Sequence, residues 1–424
     1  MTTLFPALRE GSARRALSFP DRSLSYAELA VACDRVASAL AGARRAAVLA
    51  QPRIETAVAV IAALQAGVPA VPLNPRSGSR ELDHIVTDAA PDVLLVAGDT
   101  EVPSVLSGAR QLTVDVDDVG APPAATPTPS GRDDDPALIV YTSGTTGAPK
   151  GAVMPRRAIA ANLDALADAW DWSERDVVAH ALPLFHVHGL VVGILGPVRR
   201  GGTAMHLGRF SPEAVRDALA GEATMLFGVP TMYRRLADAA ETSGELAAAL
   251  GGARLLVSGS AALPAAEHAR LRGMTGRAMV ERYRVTEELM NPAIRADGEP
   301  APGTVGPPLA GVEVRLVDDH GAELDTHDDE TIGELQVRGP NVFLGYLNRP
   351  DATAEALRDG WFATGDMATW GPDGYVRLVG RRATDLIKSG GYKIGAGEIE
   401  GSLREHPAVA DAAVTGEPDD DLGE

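Results

Sequence analysis

Along the first hundred residues, apolar positions switch between two spacings. LAVACDRVASALAG, Leu29 to Gly42, has helical spacing, and Ser25 and Glu28 in SYAE just before it form a capping-box pattern. RAAVLAQ then reads as a buried strand, IETAVAVIAALQAG as a helix, PAVPLN as a strand and DVLLVAG as another. Strands alternating with helices predict a parallel sheet wrapped on both faces, hence an α/β fold. The alternation resumes with TMLFGVP and TMYRRLADAA, then ARLLVSGS and ALPAAEHARLRG. Between the two regions, GAPPAATPTPSGRDDDP, Gly120 to Pro136, reads as a solvated connection.

From about Gly303 the texture changes. GVEVRLVDD, GELQVRG and GYVRLVG are short strand patterns separated by Gly, Asp and Pro turns, the mark of a small β-subdomain. After Gly380, RRATDLIKSGGYKIGAGEIE opens a smaller unit. The expected division is a large N-terminal domain of parallel αβ layers over residues 1–379, with the β-rich part from about 303. A hinge at 380–385 follows, then the start of a mobile α+β C-terminal subdomain over 386–424. The strand–loop pattern breaks off at DDDLGE, and the expectation is a truncated subdomain.

The 424 residues suggest two or three packed units, and 45% apolar with 23% charged residues is a globular composition. A net charge of −19 argues against a nucleic-acid or anionic-membrane surface, so an anionic ligand needs locally clustered donors. The N-terminal MTTLFPALREGSARRALSFP lacks the apolar core of a secretory signal. AVAVIAALQAGVPAVPL is interrupted by Gln65, Gly67 and Pro69, and is read as no membrane span. The single cysteine, Cys33, excludes an intrachain disulfide and fits a reducing cytoplasm.

IVYTSGTTGAPKGAVM, Ile139 to Met154, places small donors and one lysine between two apolar runs. It is not the nucleotide P-loop: Ala148 and Pro149 separate Gly147 from Lys150, Gly151 follows the lysine, and Pro149 has no N–H to give. A strand, a loop and a second strand fit better, with backbone N–H groups, hydroxyls and an ammonium facing a phosphate chain.

TSGTTGAPKG resembles the phosphate-binding signature of adenylate-forming enzymes: acyl-CoA synthetases, adenylation domains and luciferases. ERYRVTEELM, WFATGDMA and GRRATDLIKSGGYKIGAGEIE resemble further motifs of that family, in its order. The resemblance implies that Thr142, Ser143, Gly144, Thr145, Thr146, Gly147 and Lys150 hold the phosphates of ATP. It also implies that Tyr283 lies against adenine, Thr286 touches the phosphate and Glu287 holds Mg²⁺. Asp366 would accept both ribose hydroxyls, with Arg381 near the ribose and Lys393 on the face used for thioester formation. The implied reaction joins a carboxylate to AMP, then passes the acyl group to coenzyme A or a carrier protein's phosphopantetheine arm. Positioning two anions and neutralising phosphate charge suits backbone amides, a lysine and a metal.

LPLFHVHGLVVGILGP, FGVPTMYRRL and LLVSGSAALP, read with the motifs above, resemble the malonyl-CoA synthetase branch. A dicarboxylate needs a cation for its distal carboxylate, preferably a guanidinium. Arg235 is the expected one, Arg234 its neighbouring alternative and Ser260 a neutral helper. His186 is expected at the wall of the acyl pocket and among the catalytic residues with Thr286 and Glu287. His186 and His188 lack a third ligand for a metal. Val187 and Met290 are expected to set the room beside the α-carbon, so that methylmalonate enters as well as malonate.

Two departures stand out. Arg284 and Glu288 occupy positions where the branch reads Gly and Thr, and Val285 stands where it reads Met. Arg284 either blocks the pocket, swings outward, pairs with Glu288 or meets an unusual acidic substrate. The resemblance also implies a lysine of the C-terminal subdomain, used in adenylation, that no residue up to 424 replaces. The competing readings are a carrier-loading adenylation protein and a nucleotide-binding homologue with impaired turnover.

Overall fold

The computed structural model describes residues 3–117, 131–142, 148–260, 263–291, 293–298, 303–382, 385–389, 392–404, 406, 408–409 and 412–419. The first helix, Tyr26–Ala39, starts where the capping box places it. Ser25 Oγ accepts from the Glu28 N–H, and a Glu28 carboxylate oxygen accepts from the Ser25 N–H at 2.8 Å. Such a cap contributes about 1 kcal/mol by satisfying otherwise orphaned N–H groups. The next helix, Ile54–Ala66, is buried over most of its surface and ends at Gly67 in the left-handed region. Its apolar run is a core helix, packed against the strand Ala46–Leu49 and the π-helix His188–Leu195.

Two large sheets carry the first 290 residues. One has six strands in the order Arg110–Val114, Val93–Ala97, Ala46–Leu49, Ala70–Leu73, Pro136–Thr142, Lys150–Pro155. It is parallel except for its last pair, the two strands flanking the glycine-rich stretch, which run antiparallel with Thr142 opposite Lys150. The other has seven strands, ordered Met279–Glu281, Leu255–Ser258, Met225–Gly228, Val177–His180, Thr203–His206, Arg15–Ser18, Ser23–Ser25. Only its final pair is antiparallel. The α/β expectation therefore holds, with mixed edges where hairpins close the sheets.

After residue 303 the chain builds a five-stranded antiparallel sheet from Glu313–Val317, Gly333–Arg338, Leu357–Arg358, Trp361–Trp370 and Val376–Arg381. A two-stranded hairpin, Leu386–Ser389 with Tyr392–Gly395, and the helix Ala396–Arg404 follow. One apolar core joins side chains of both large sheets and the β-sheet, from Leu17 through Val58, Ile159 and Val187 to Leu335 and Phe362. Among the described residues, no helix is long and apolar enough to cross a membrane.

The π-helix was not anticipated. Its wide turns bring Gly193 against His180, where an added Cβ would lie 2.7 Å from the imidazole Nε2. Only glycine permits that approach.

Candidate active site

Parallel sheets bind ligands at the carboxyl ends of their strands. Ser258 and Glu281 are register partners at the ends of neighbouring strands, so the residues that follow, Gly259–Ser260 and Arg282–Arg284, emerge side by side. Ser260 and Arg282–Arg284 form one wall of a cavity of about 220 Å³. Asp366, Arg381 and Asp385, from the β-sheet and the turn after it, form the opposite wall.

Asp366 and Arg381 face one another across two antiparallel strands, and Arg381 Nε lies 2.8 Å from Asp366 Oδ1. The Tyr283 hydroxyl donates to Asp366 Oδ2. Burial raises the Asp366 carboxyl, while the Arg381 charge and the Tyr283 hydrogen bond pull it back. Burial, and then the Asp366 charge, pushes the Tyr283 hydroxyl well up, so it stays a donor at neutral pH. A carboxylate oxygen can accept more than one hydrogen bond, which leaves Asp366 capacity for a vicinal diol.

Thr286–Glu288 make a single 3₁₀ turn beyond this wall. Glu287 Oε1 accepts from the Tyr346 hydroxyl at 2.7 Å. Residues 344–347 pair with the strand Lys150–Pro155, through Leu344 N to Val153 O and Leu347 N to Gly151 O, both 2.8 Å. That pairing sets Lys150 Nζ 4.3 Å from the centre of the Tyr346 ring. Tyr346 therefore joins the lysine after the glycine-rich stretch to the carboxylate expected to hold the metal. Nothing in the local sequence NVFLGYLNRP singled it out; only the long-range pairing does.

Glu287 is one carboxylate, and among the described residues no three His, Cys, Asp or Glu side chains form a metal cluster. Mg²⁺ bound with ATP takes most of its oxygens from phosphates and water and needs only one or two carboxylates. Glu287, beside Lys150 and Tyr346, fits that demand.

Of the remaining expected residues, Thr142 and Lys150 flank the loop, whose Ser143, Gly144, Thr145, Thr146 and Gly147 lie outside the described residues. Ser260 is in the cavity wall, with its backbone in the left-handed region at φ 78°. Such strain in a non-glycine residue gathers at functional sites. Arg235 is exposed, its guanidinium 4.9 Å from the Phe210 ring centre, and it does not line the cavity. His186 is exposed beside Phe185, at 4.5 Å between ring centres. The protein packed around one side of its ring, then the Arg284 charge, lowers its pKa. Val187 and Met290 are fully buried core residues, and neither lines the cavity. His188 is also buried, roughly parallel to Phe227.

Arg284 does not pair with Glu288, whose carboxylate turns into the core. Its guanidinium faces the cavity, Nη2 at 3.5 Å from Ser260 Oγ. Behind it lies Arg282, which sequence reasoning passed over as part of a motif. Arg282 is 3% exposed and none of its guanidinium nitrogens has a hydrogen-bond partner.

The α/β frame has counterparts among known proteins. Residues 6–347 match the AMP-binding enzyme family. The chain is 38% identical over 403 residues to the mitochondrial malonate–CoA ligase of Mus musculus, covering 85% of this chain and 68% of that one. It superposes on a malonyl-CoA ligase ternary product complex, with methylmalonyl-CoA and AMP bound, at a TM-score of 0.85 and 60% identity, over 99% of this chain and 90% of that one. It also superposes on ATP-bound MatB from Rhodopseudomonas palustris at a TM-score of 0.90 and 36% identity, over 99% and 86%. The chain belongs to the AMP-binding enzyme family.

Proposed function

We propose that the protein is an AMP-forming malonate–CoA ligase. The reading rests on one observation above the rest: a nucleotide cluster of Tyr283, Asp366 and Arg381 shares a cavity with the cationic corner of Ser260 and Arg284. The 60% identity to a malonyl-CoA ligase supports the same acid, and the methylmalonyl-CoA in that complex supports methylmalonate as a second one.

In the first half-reaction a carboxylate oxygen of malonate attacks the α-phosphorus of ATP. An O–P bond forms, the bond to pyrophosphate breaks, and malonyl-AMP remains. In the second, the sulfur of coenzyme A attacks the acyl carbon, AMP leaves with its bonding pair, and the thiol proton passes to solvent. Asp366 and Arg381 hold the ribose and Tyr283 lies at the base. Lys150, Thr142 and the loop they flank hold the phosphates, and Thr286 approaches the reacting phosphate. Bound with ATP, Mg²⁺ would neutralise phosphate charge, and Glu287 is the residue that would hold it. His186 is exposed and lies within reach of the Arg284 charge, in keeping with a place at the acyl mouth. A cytoplasmic location fits the buried, unpaired Cys33, although the mouse relative is a mitochondrial enzyme.

The test is acid-dependent formation of AMP and pyrophosphate from Mg·ATP, with malonate, methylmalonate, acetate or no acid, and with coenzyme A or a carrier protein as acceptor. Malonate-selective turnover passing to coenzyme A is expected. A preference for acetate, or transfer to the carrier alone, would overturn the reading.

A further inference from the structure

The anion anchor of the acyl pocket has a physical signature on the strand edge. Arg282 carries its guanidinium directly beneath Gly259, where an added Cβ would come within 2.3 Å of Cζ. Its neighbour Glu281 does not neutralise it: Oε1 accepts from the Leu263 N–H and Oε2 meets His268 Nε2, both at 2.8 Å. The other carboxylates of the cavity are also engaged. Asp366 serves Tyr283 and Arg381, and Asp385 accepts from the Arg381 backbone N–H at 3.0 Å.

Arg284 adds a second positive charge to this corner. Burial, and then the charge of Arg284, disfavours the charged form of Arg282. The carboxylate that acts on Arg284 from nearby, Glu287, is bonded to Tyr346. A buried guanidinium without a partner is costly, and an anion entering the corner relieves that cost. In a protein of net charge −19, the Arg284 guanidinium beside the Ser260 hydroxyl, with the unpartnered Arg282 guanidinium next to it on the strand edge, makes a local anion site. Arg235, by contrast, is stacked on Phe210 outside the cavity.

We propose that Arg284 is the specificity-determining residue for a dicarboxylate. Its guanidinium, with Ser260 beside it and the buried charge of Arg282 behind it, receives the distal carboxylate of the acid. The proposal rests on the malonate reading above and assigns to Arg284 the part expected of Arg235. Arg282 acts as a positioning charge, since its nitrogens are sealed from solvent.

The experiment compares malonate and acetate binding by calorimetry to the AMP-saturated chain, for wild type and for Arg284→Gln, Arg284→Gly, Arg284→Lys and Arg235→Gln. AMP affinity reports the fold of each variant. Arg284→Gln and Arg284→Gly should weaken malonate roughly 10–100-fold, the loss of a charge-paired contact discounted for partial exposure, with acetate unchanged within about twofold. Arg284→Lys keeps the charge without the fork and should lose several-fold; it decides the matter if the other two lose AMP binding. Arg235→Gln should stay close to wild type. Wild-type malonate affinity in the Arg284 variants, or a large loss in Arg235→Gln alone, would overturn the proposal while leaving the ligase reading intact. A wild-type chain that fails to prefer malonate over acetate would overturn both.

Discussion

The Tyr346 hydroxyl donates to Glu287 at 2.7 Å while its ring lies under the Lys150 ammonium at 4.3 Å. One side chain thus couples Lys150, proposed to bind phosphate, to Glu287, proposed to hold the metal. Burial, then the Glu287 charge, raises the Tyr346 pKa, so the hydroxyl remains a donor across the working range.

Tyr346→Phe separates these two contacts, because it keeps the ring under Lys150 and removes the donor to Glu287. Groups that orient a metal-binding carboxylate affect metal affinity about 10-fold or more. The variant should bind Mg·ATP roughly 10-fold more weakly, with AMP binding in the absence of metal nearly unchanged. Calorimetry with and without Mg²⁺ checks this. Equal losses for both ligands would place Tyr346 in general nucleotide binding instead.

Asp366 is predicted to read the ribose diol. Its two oxygens are anchored from one side by Arg381 and from the other by Tyr283, which fixes the carboxylate plane. Asp366→Asn replaces one acceptor with a donor and removes the charge facing Arg381. AMP affinity should fall roughly 10–100-fold. Wild type should also prefer AMP to 2′-deoxy-AMP, and Asp366→Asn should lose that preference. An unchanged preference would remove Asp366 from the ribose contact.

What was legible in the sequence was local. The capping box at Ser25, the apolar run ending at Gly67, and the strand–loop–strand around Lys150 each follow from neighbouring residues, and each is where the pattern placed it. Motif order also brought Tyr283 and Asp366 into view, and strand register then joined Asp366 to Arg381. Tyr346 was not legible because its position depends on pairing with a strand nearly two hundred residues earlier. Arg282 was hidden for a different reason: alternation along ERYRV does not say that Glu281 turns to His268 and leaves the arginine alone. Arg235, expected as the substrate cation because a dicarboxylate needs a guanidinium, has its own guanidinium over the Phe210 ring, a contact that its local sequence does not announce.

Glu288 is a second unusual charge next to Arg284, and it carries a stability prediction. It is fully buried, and the Asn291 side chain is the polar group that eases its carboxylate. Burial, then the charges of Asp366 and Glu287, raises its pKa well above 4.5. A raised carboxyl pKa means the folded state holds a proton that the unfolded state releases. Stability is therefore full below about pH 4.5 and is lost as pH rises toward the folded pKa. Glu288→Gln removes this loss and should stabilise the chain by roughly 1–3 kcal/mol at pH 7, with little gain at pH 4. Urea unfolding at the two pH values measures the difference, and an equal effect at both would show that the carboxyl does not titrate on unfolding.

His206 acts in the opposite direction. Its Nε2 lies 3.1 Å from the Leu182 carbonyl, and its Nδ1 accepts from the Gly208 N–H at 3.0 Å. This arrangement holds the neutral ring with the proton on Nε2; protonating Nδ1 breaks the Gly208 bond. The ring is buried, stacked on Phe19 at 5.2 Å and edge-on to His180 at 4.8 Å. Burial pushes its pKa from 6.5 down to about 4, only partly offset by the Leu182 carbonyl. Between those values the unfolded chain binds the extra proton, so stability is full above about pH 6.5 and falls as pH drops toward 4. One group shifted this far removes roughly 3 kcal/mol over that window. His180, whose pKa burial also lowers, falls in the same direction. His206→Gln should be less stable at pH 7, having lost a ring packed on Phe19, yet show a shallower decline between pH 6.5 and 4. Equilibrium urea melts across that range measure the slope directly. A slope equal to wild type would mean that the acid sensitivity belongs to His180 or to groups elsewhere in the chain.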